Sequence, residues 1–446
     1  MIKKLVLVFI AAFAVNSYAQ EGGTASPYSY YGIGNLKFKG TVENKSMGGL
    51  SIYSDSIHVN LRNPASYASE NLKMYNNEGR PVKFAIGGSH TNSTIKGQGG
   101  SDDASSSTFD YIALSLPVGR FGFGFGLLPY SSVGYKLETN YDNGNLQSQF
   151  NGEGGLNKAY ISAAYLVTKG LSVGVDASYG FGNIKNTIID YVYDADGLPL
   201  SYQTRQNNRS DLSGLGLNFG ATYKTRIYDK FEWVSSVTFA PSNTIKSKNS
   251  RTFSTVVVDY SGGTESVVNT IDGEQTLIDN GELETEVELA SRFSIGTGIG
   301  QERHWFVGVE TTFENTSNFN ERPTDTGIDD GRDPRDVEHK NPFGLSVGGF
   351  YIPKYNAFNG YWNRVVYRAG FRTEKTGLVI NGQEINEFGI SFGAGLPLGT
   401  IFSNANLGFE FGRRGTTDYG LIQENFFNFS IGLSLNDRWF VKRKYD

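Results

Sequence analysis

Beyond residue 80 this chain places apolar side chains at every second position, with small or polar residues between them, in one segment after another. A period of two is the signature of a strand, and so regular a difference between its faces means one apolar surrounding and one polar. The final segment shows it most cleanly: Phe427, Phe429, Ile431, Leu433 and Leu435 are interleaved with Asn428, Ser430, Gly432, Ser434 and Asn436. The connectors between segments alternate short and long. Together these patterns describe a transmembrane β-barrel, whose strands face lipid on one side and a polar lumen on the other.

The start of the chain reads as a secretory signal over residues 1–19: Lys3 and Lys4, an apolar run from Leu5 to Val15, then Ser17 and Ala19 before Gln20. That run is too short to cross a bilayer as a helix, and no later stretch approaches the ~20 apolar residues required. Mean hydropathy is −0.34, yet 14% of residues are aromatic and 56 are Gly. Strands that turn aromatics outward and small residues inward have this composition. The absence of cysteine excludes a disulfide framework, a thiolate metal site and a lipid-anchored precursor. A formal charge of −5 argues against a nucleic-acid partner, for which a basic patch is expected.

The pattern predicts an all-β fold, a transmembrane antiparallel barrel of fourteen strands near 82–94, 106–117, 120–137, 157–167, 170–190, 210–225, 230–246, 286–300, 303–315, 341–353, 361–374, 386–397, 401–412 and 424–436. Tight turns fall at 117–120, 168–170, 227–230, 300–303 and 397–400, with 353–361 the longer member of that set. Long polar connectors are expected near 95–105, 138–156, 191–209, 247–285, 316–340, 375–385 and 413–423. Short turns belong in the periplasm and long loops outside, so an even strand count leaves both termini periplasmic in the outer membrane of a Gram-negative cell. Trp233, Trp305, Trp362 and Trp439 all fall at the periplasmic rim on this reading, where an indole prefers the membrane interface. The domain plan is a signal over 1–19, a separate segment over 20–81 and a barrel over 82–446. Residues 20–81 lack strand alternation and fit a disordered tail, a periplasmic module or a plug in the lumen; Met47, Leu50, Ile52 and Tyr53 disfavour pure disorder, and the plug is the preferred expectation.

With a Gly-rich N-terminal segment containing Met47-Gly48-Gly49, the triplet Asn63-Pro64-Ala65 and fourteen strands after it, the chain resembles the FadL family of outer-membrane channels for long-chain fatty acids and other hydrophobic compounds. The resemblance implies that residues 20–81 are a hatch in the barrel. Leu128–Tyr135, Tyr361–Gly370 and Leu435–Phe440 are similar to FadL-like proteins of the Bacteroidetes in particular.

Pro129, with Tyr130 after it, stands near the middle of the third strand, following the faultless alternation of Phe121–Leu127. Proline cannot donate to the ladder, so it should open a local gap in pairing or form a closed bulge. In the family a kink in the third strand makes a lateral exit to the membrane, which Pro129 is suited to produce. Parity places Arg364, Arg368 and Arg372 on one lumenal face of the eleventh strand. Such a ladder suits an anionic head group, or pairs with acids of neighbouring strands and the hatch. Three Gly-x-Ser-x-Gly copies, at 170–174, 344–348 and 389–393, lie inside strands rather than at the strand–turn–helix junction of a hydrolase. No catalytic residue, cofactor or resident metal is expected, and the acidic loop 325–336 lacks EF-hand spacing.

Two functions fit. The first is a passive outer-membrane channel for small hydrophobic molecules, gated by Gly48, Gly49, Asn63, Pro64 and Ala65 of the hatch and leaving sideways at Pro129. The second is an accessory barrel that binds or caps a larger outer-membrane protein such as a secretion translocon. The expected partners are membrane lipid and lipopolysaccharide, a hydrophobic small molecule and an outer-membrane protein.

Overall fold

The computed structural model describes residues 23–37, 40–68, 82–141, 143–228, 230–259, 264–315, 337–398 and 403–437. The expected signal segment, the acidic loop 325–336 and Trp439 lie outside these residues. A short strand, β1 (Asn35–Leu36), precedes the wall. The wall begins with β2 (Val82–Gly97), β3 (Gly100–Val118), β4 (Phe121–Pro129), β5 (Ser131–Asn140), β6 (Leu146–Leu166), β7 (Leu171–Asp190), β8 (Gln203–Ile227) and β9 (Phe231–Ala240). It continues through β10 (Asn243–Asp259), then β11 (Thr264–Asp272), a hairpin arm on the outer half of β10, β12 (Glu284–Leu289), β13 (Arg292–Gln301) and β14 (Trp305–Glu314). It ends with β15 (Val337–His339), β16 (Phe343–Tyr351), β17 (Val366–Ile380), β18 (Gln383–Leu398), β19 (Ser403–Gly415) and β20 (Gln423–Asp437).

Every pairing is antiparallel, and β2 meets β20 from Val82↔Asp437 to Lys96↔Gln423, which closes the sheet on itself. Four wall strands are each interrupted once, as β4–β5, β9–β10, β12–β13 and β15–β16, so the closed barrel has 14 strands. Closure leaves the spanning region with few unpaired edges, as hydrocarbon demands. Alternation does the rest. On β7, Val173, Val175, Tyr179 and Phe181 face out and are exposed, while Ser172, Asp176 and Ser178 face in and are buried. Leu215, Leu217, Phe219 and Tyr223 continue the outward apolar band on β8, and Trp233, Val237 and Phe239 on β9.

The strands run longer than expected. β8 has 25 residues, roughly 80 Å of chain, whereas about ten residues cross a membrane. Two stretches expected as long loops are tight hairpins instead. Gly97 pairs with Gly100, and β17 turns into β18 through Asn381 and Gly382, whose φ angles of 51° and 72° make the reversal. Polar residues on both faces read as loop, but beyond the lipid both faces of a strand can be wet. Trp233 and Trp305 open β9 and β14, and Trp362 lies just before β17, all at the short-turn end of the barrel.

Residues 23–37 and 40–68 lie inside the barrel. Tyr30 and Ile33 pack with Val133, Tyr135, Phe150, Leu156 and Ile184. Val42, Leu61 and Tyr67 pack with Tyr111, Leu128 and Tyr160, and Met47, Leu50 and Ile52 with Val234 and Phe306. An inner wall rich in serine, glycine and asparagine carries apolar residues where this segment presses on it.

Candidate functional site

The lumenal segment is held by buried polar anchors distributed around the wall. The Glu310 carboxylate of β14, 3% exposed, accepts from the Ser51 N–H at 2.8 Å and pairs with Arg62 at 2.9 Å. Lys45 pairs with Asp110 of β3 at 2.7 Å. His58 Nδ1 lies 2.7 Å from Asp55 and its Nε2 3.5 Å from Glu43, while Lys83 donates to the Asp55 and His58 carbonyls at 2.6 and 2.8 Å. Burial alone would raise the Asp55 carboxyl, but the adjoining His58 ring and Lys83 hold it well below the usual carboxylate range.

Backbone contact adds to these anchors. Glycines on the inner wall act as seats where a side chain would collide with the segment: Gly122 under Tyr67 O, Gly134 under Thr24 O, Gly220 under Asn63, and Gly370 under Met47. A Cβ on Gly174 would come 2.6 Å from Pro64 C. Gly48 has a φ of 70°, and its N–H donates to Ser391 Oγ at 2.9 Å. Gly49 follows with a φ of 87°, and together the two glycines turn the chain against β17. In the triplet, Asn63 donates to Thr222 Oγ1 at 2.9 Å and accepts from the Ala65 N–H at 3.0 Å. Pro64 and Ala65 continue that buried turn.

Of the three arginines expected on one face, the structure places two there. Arg368 donates to Asn406 at 3.1 Å, and Asn406 donates to Glu43 of the lumenal segment at 2.6 Å. Arg372 pairs with Glu387 at 2.5 Å and Glu410 at 2.6 Å. Arg364 does not join them. Gly360, with a φ of 84°, starts a 3-10 turn over Tyr361–Arg364, so the strand begins only at Val366 and the Arg364 guanidinium lies 5.7 Å from the Tyr361 ring. Ser391 is a seat for the segment, and Ser172 and Ser391 lie within strands, buried.

Pro129 and Tyr130 mark a break in the wall. β4 pairs with β3 only from Ile112↔Leu127 to Val118↔Phe121. Past the break, β5 bends inward, and Ser131–Tyr135 are all buried. Its free edge pairs with β1 rather than with β3, Asn35↔Ser132 and Leu36↔Ser131, and Tyr130 O accepts from the Lys37 N–H at 2.9 Å. Among the described residues, the upper part of β3 has no partner on that side. Gly23 lies in that space: a Cβ there would collide with Ser132 and come 3.7 Å from Thr108 of β3. Neither the inward fold of β5 nor the replacement of β3 by β1 was visible in the sequence, since two residues give no periodicity.

Small cavities lie inside the lumen among the described residues. One of about 140 Å³ lies between Leu61, Tyr130, Tyr160, Asp176 and Arg292. Another of about 150 Å³ touches Tyr31, Leu36 and Arg414, and a third of about 120 Å³ is lined by Lys37, Asp110, Arg372 and Glu424. The large cavity, about 960 Å³, is the mouth at the short-turn end beneath the lumenal segment, lined by Asp55, His58, Lys169, Arg226 and Arg303.

Comparison with known proteins agrees with this architecture. The chain is similar in structure to the toluene transporter TodX of Pseudomonas putida, with a TM-score of 0.55 and 14% identity over 90% of this chain and 98% of that one. A FadL homologue of Pseudomonas aeruginosa aligns with a TM-score of 0.53 and 12% identity, covering 90% and 99%. The toluene transporter TbuX of Ralstonia pickettii aligns with a TM-score of 0.50 and 13% identity, covering 90% and 98%. The fold is therefore that of the FadL-like outer-membrane barrels. Among curated proteins no sequence match is found. The family model described as BamG matches residues 1–446, and this outer-membrane barrel therefore belongs to the BamG family.

Proposed function

We propose that this chain is a sealed outer-membrane barrel that serves as an accessory subunit, docking on a larger outer-membrane protein. The short-turn end then lies in the periplasm, with both termini, and the outward apolar band meets lipid and lipopolysaccharide. One observation carries the reading: above the lumenal segment no described cavity exceeds about 150 Å³, whereas sites for drug-sized ligands enclose about 300–1,000 Å³. Gly48, Gly49, Asn63, Pro64, Ala65, Arg368 and Arg372 act in this reading as fixings of residues 20–81, a hatch that stays shut. The similar structures are channels rather than enzymes, which supports a non-catalytic role. Native mass spectrometry of the protein extracted from its own membrane in mild detergent tests it. A stoichiometric complex with a larger protein supports the reading, and a monomer carrying a fatty acid or another apolar metabolite overturns it.

A second reading is favoured by the break at Pro129 and Tyr130. There β5 pairs with the lumenal segment instead of with β3, and a hydrophobic solute released into the lumen would leave by that route. In this reading the chain is a channel for small hydrophobic molecules; two of its structural neighbours are named toluene transporters and a third a monoaromatic hydrocarbon channel. Uptake of a labelled fatty acid, slowed in a folded Pro129→Val barrel, supports it. Absence of uptake by the unaltered protein dismisses it.

A further inference from the structure

Beyond the lipid-facing band the outer surface turns charged. Lys246 and Lys248 of β10 stand opposite Glu286 and Glu284 of β12, and all four are exposed. Such a ladder belongs in water, since charge on a lipid-facing position costs about 2–4 kcal/mol at mid-membrane for Lys. Farther along the same strand, apolar side chains return to the surface. Val257 is 37% exposed, and on β11 Val267 is 51%, Val268 57% and Ile271 63% exposed. The charged collar separates them from the membrane, so lipid is not what they meet.

The backbone of this ribbon is open as well, and part of its acidic charge has no cation opposite among the described residues. Among the described residues β11 pairs only with β10, from Thr252↔Asp272 to Asp259↔Thr264. Among the described residues no strand pairs with its other edge, and residues 265–272 are all exposed. An exposed apolar edge of this kind accepts an added strand. Between Glu265 and Glu288 the chain carries eight acidic residues and no Lys or Arg. Arg205 matches Glu265 at 2.9 Å and Arg251 faces Glu282 at 3.7 Å. Among the described residues Asp272 accepts from the Glu274 backbone N–H and Asp279 from the Gln275 side-chain amide, and neither meets a Lys or Arg.

We propose that the free edge of β11 is the docking edge for an extended apolar strand, flanked by Lys or Arg, of a different protein exposed at the same surface. The proposal rests on the accessory-subunit reading and names where the partner binds. A second copy of this chain is the poorer occupant, because its β11 would bring acid against acid.

The full-length protein in its native membrane provides the test. Benzoylphenylalanine replaces Val268 or, as a control in the lipid band, Leu217, and the adducts are mapped after irradiation. The expected adduct at position 268 is to an extended, Lys- or Arg-flanked segment of another protein, whereas position 217 gives lipid. A double variant, Val267→Lys with Ile271→Lys, is expected to reduce co-isolated partner at least tenfold while keeping the heat-dependent gel shift of a folded barrel. An adduct to a second copy, to lipopolysaccharide or to an acidic segment overturns the proposal. So does a partner retained by the folded double variant, and in that case the accessory reading stands. If the unaltered protein is a monomer by native mass spectrometry, both fall.

Discussion

Replacing Glu310 by Leu should free the lumenal segment from β14. The carboxylate is 3% exposed and receives the Ser51 N–H, the Ser51 hydroxyl and Arg62. Removing one partner of a buried ion pair costs about 3–5 kcal/mol, and an orphaned buried N–H about 1–3 kcal/mol. Two features reduce the sum. The Arg62 side chain is 20% exposed, so water recovers part of its solvation, and its guanidinium keeps the Gly49 carbonyl. A net loss of about 4 kcal/mol, at about 1.4 kcal/mol per decade, raises the displaced fraction roughly 10³-fold. Trypsin reads this directly, because Lys45 and Arg62 are shielded inside the barrel and are cut only when the segment leaves its seat. Cleavage at both should accelerate on the order of 10³-fold in detergent. Glu310→Gln, which keeps an acceptor for Ser51, should show a smaller increase. Cleavage of Glu310→Leu within tenfold of the unaltered rate, in a barrel that retains its gel shift, would refute the claim that this anchor holds the segment.

Gly370→Ala would drive a methyl into the Met47 backbone and should cost stability in the range of about 1–3 kcal/mol for overpacking; Gly97→Ala, which meets only open space, should stay within about 0.5 kcal/mol, both checked by thermal melting in detergent. Asn63→Ala removes the bond to Thr222 and the acceptor for the Ala65 N–H, and should cost about 1–3 kcal/mol by the same melting experiment. Because the Asp55 carboxyl is held below its unfolded value, its contribution is complete above about pH 4 and is lost as pH falls through the depressed value. Hydrogen exchange of amides 55–60, corrected for intrinsic rate, should therefore be flat from about pH 7 to 5 and rise only in strong acid, and Asp55→Asn should abolish that acid step.

The wall was legible because lipid enforces a simple rule. Segments such as Phe427–Asn436 must turn every second residue to hydrocarbon, so period and sidedness are written residue by residue. The expected count of fourteen holds for that reason. Strand ends were less legible, because above the membrane nothing distinguishes a polar strand such as Ser101–Ser107 from a loop. The arginine ladder failed at Arg364, since parity assumes the strand continues and Gly360 interrupts it with a left-handed turn. The site is made by residues far apart in the chain, such as Ser51 with Glu310 or Lys45 with Asp110. Sequence shows the charges but not which of them meet.

The glycine seats bear on how the molecule is put together. They are cut into β4, β5, β7, β8 and β17, strands formed early and late along the chain, and each fits backbone or a buried side chain of residues 23–68. A cylinder that closed empty would then have to admit a polypeptide through contacts with no clearance. The segment is better placed as a mandrel around which the sheet curls, in position before β20 reaches β2 and the seam is shut.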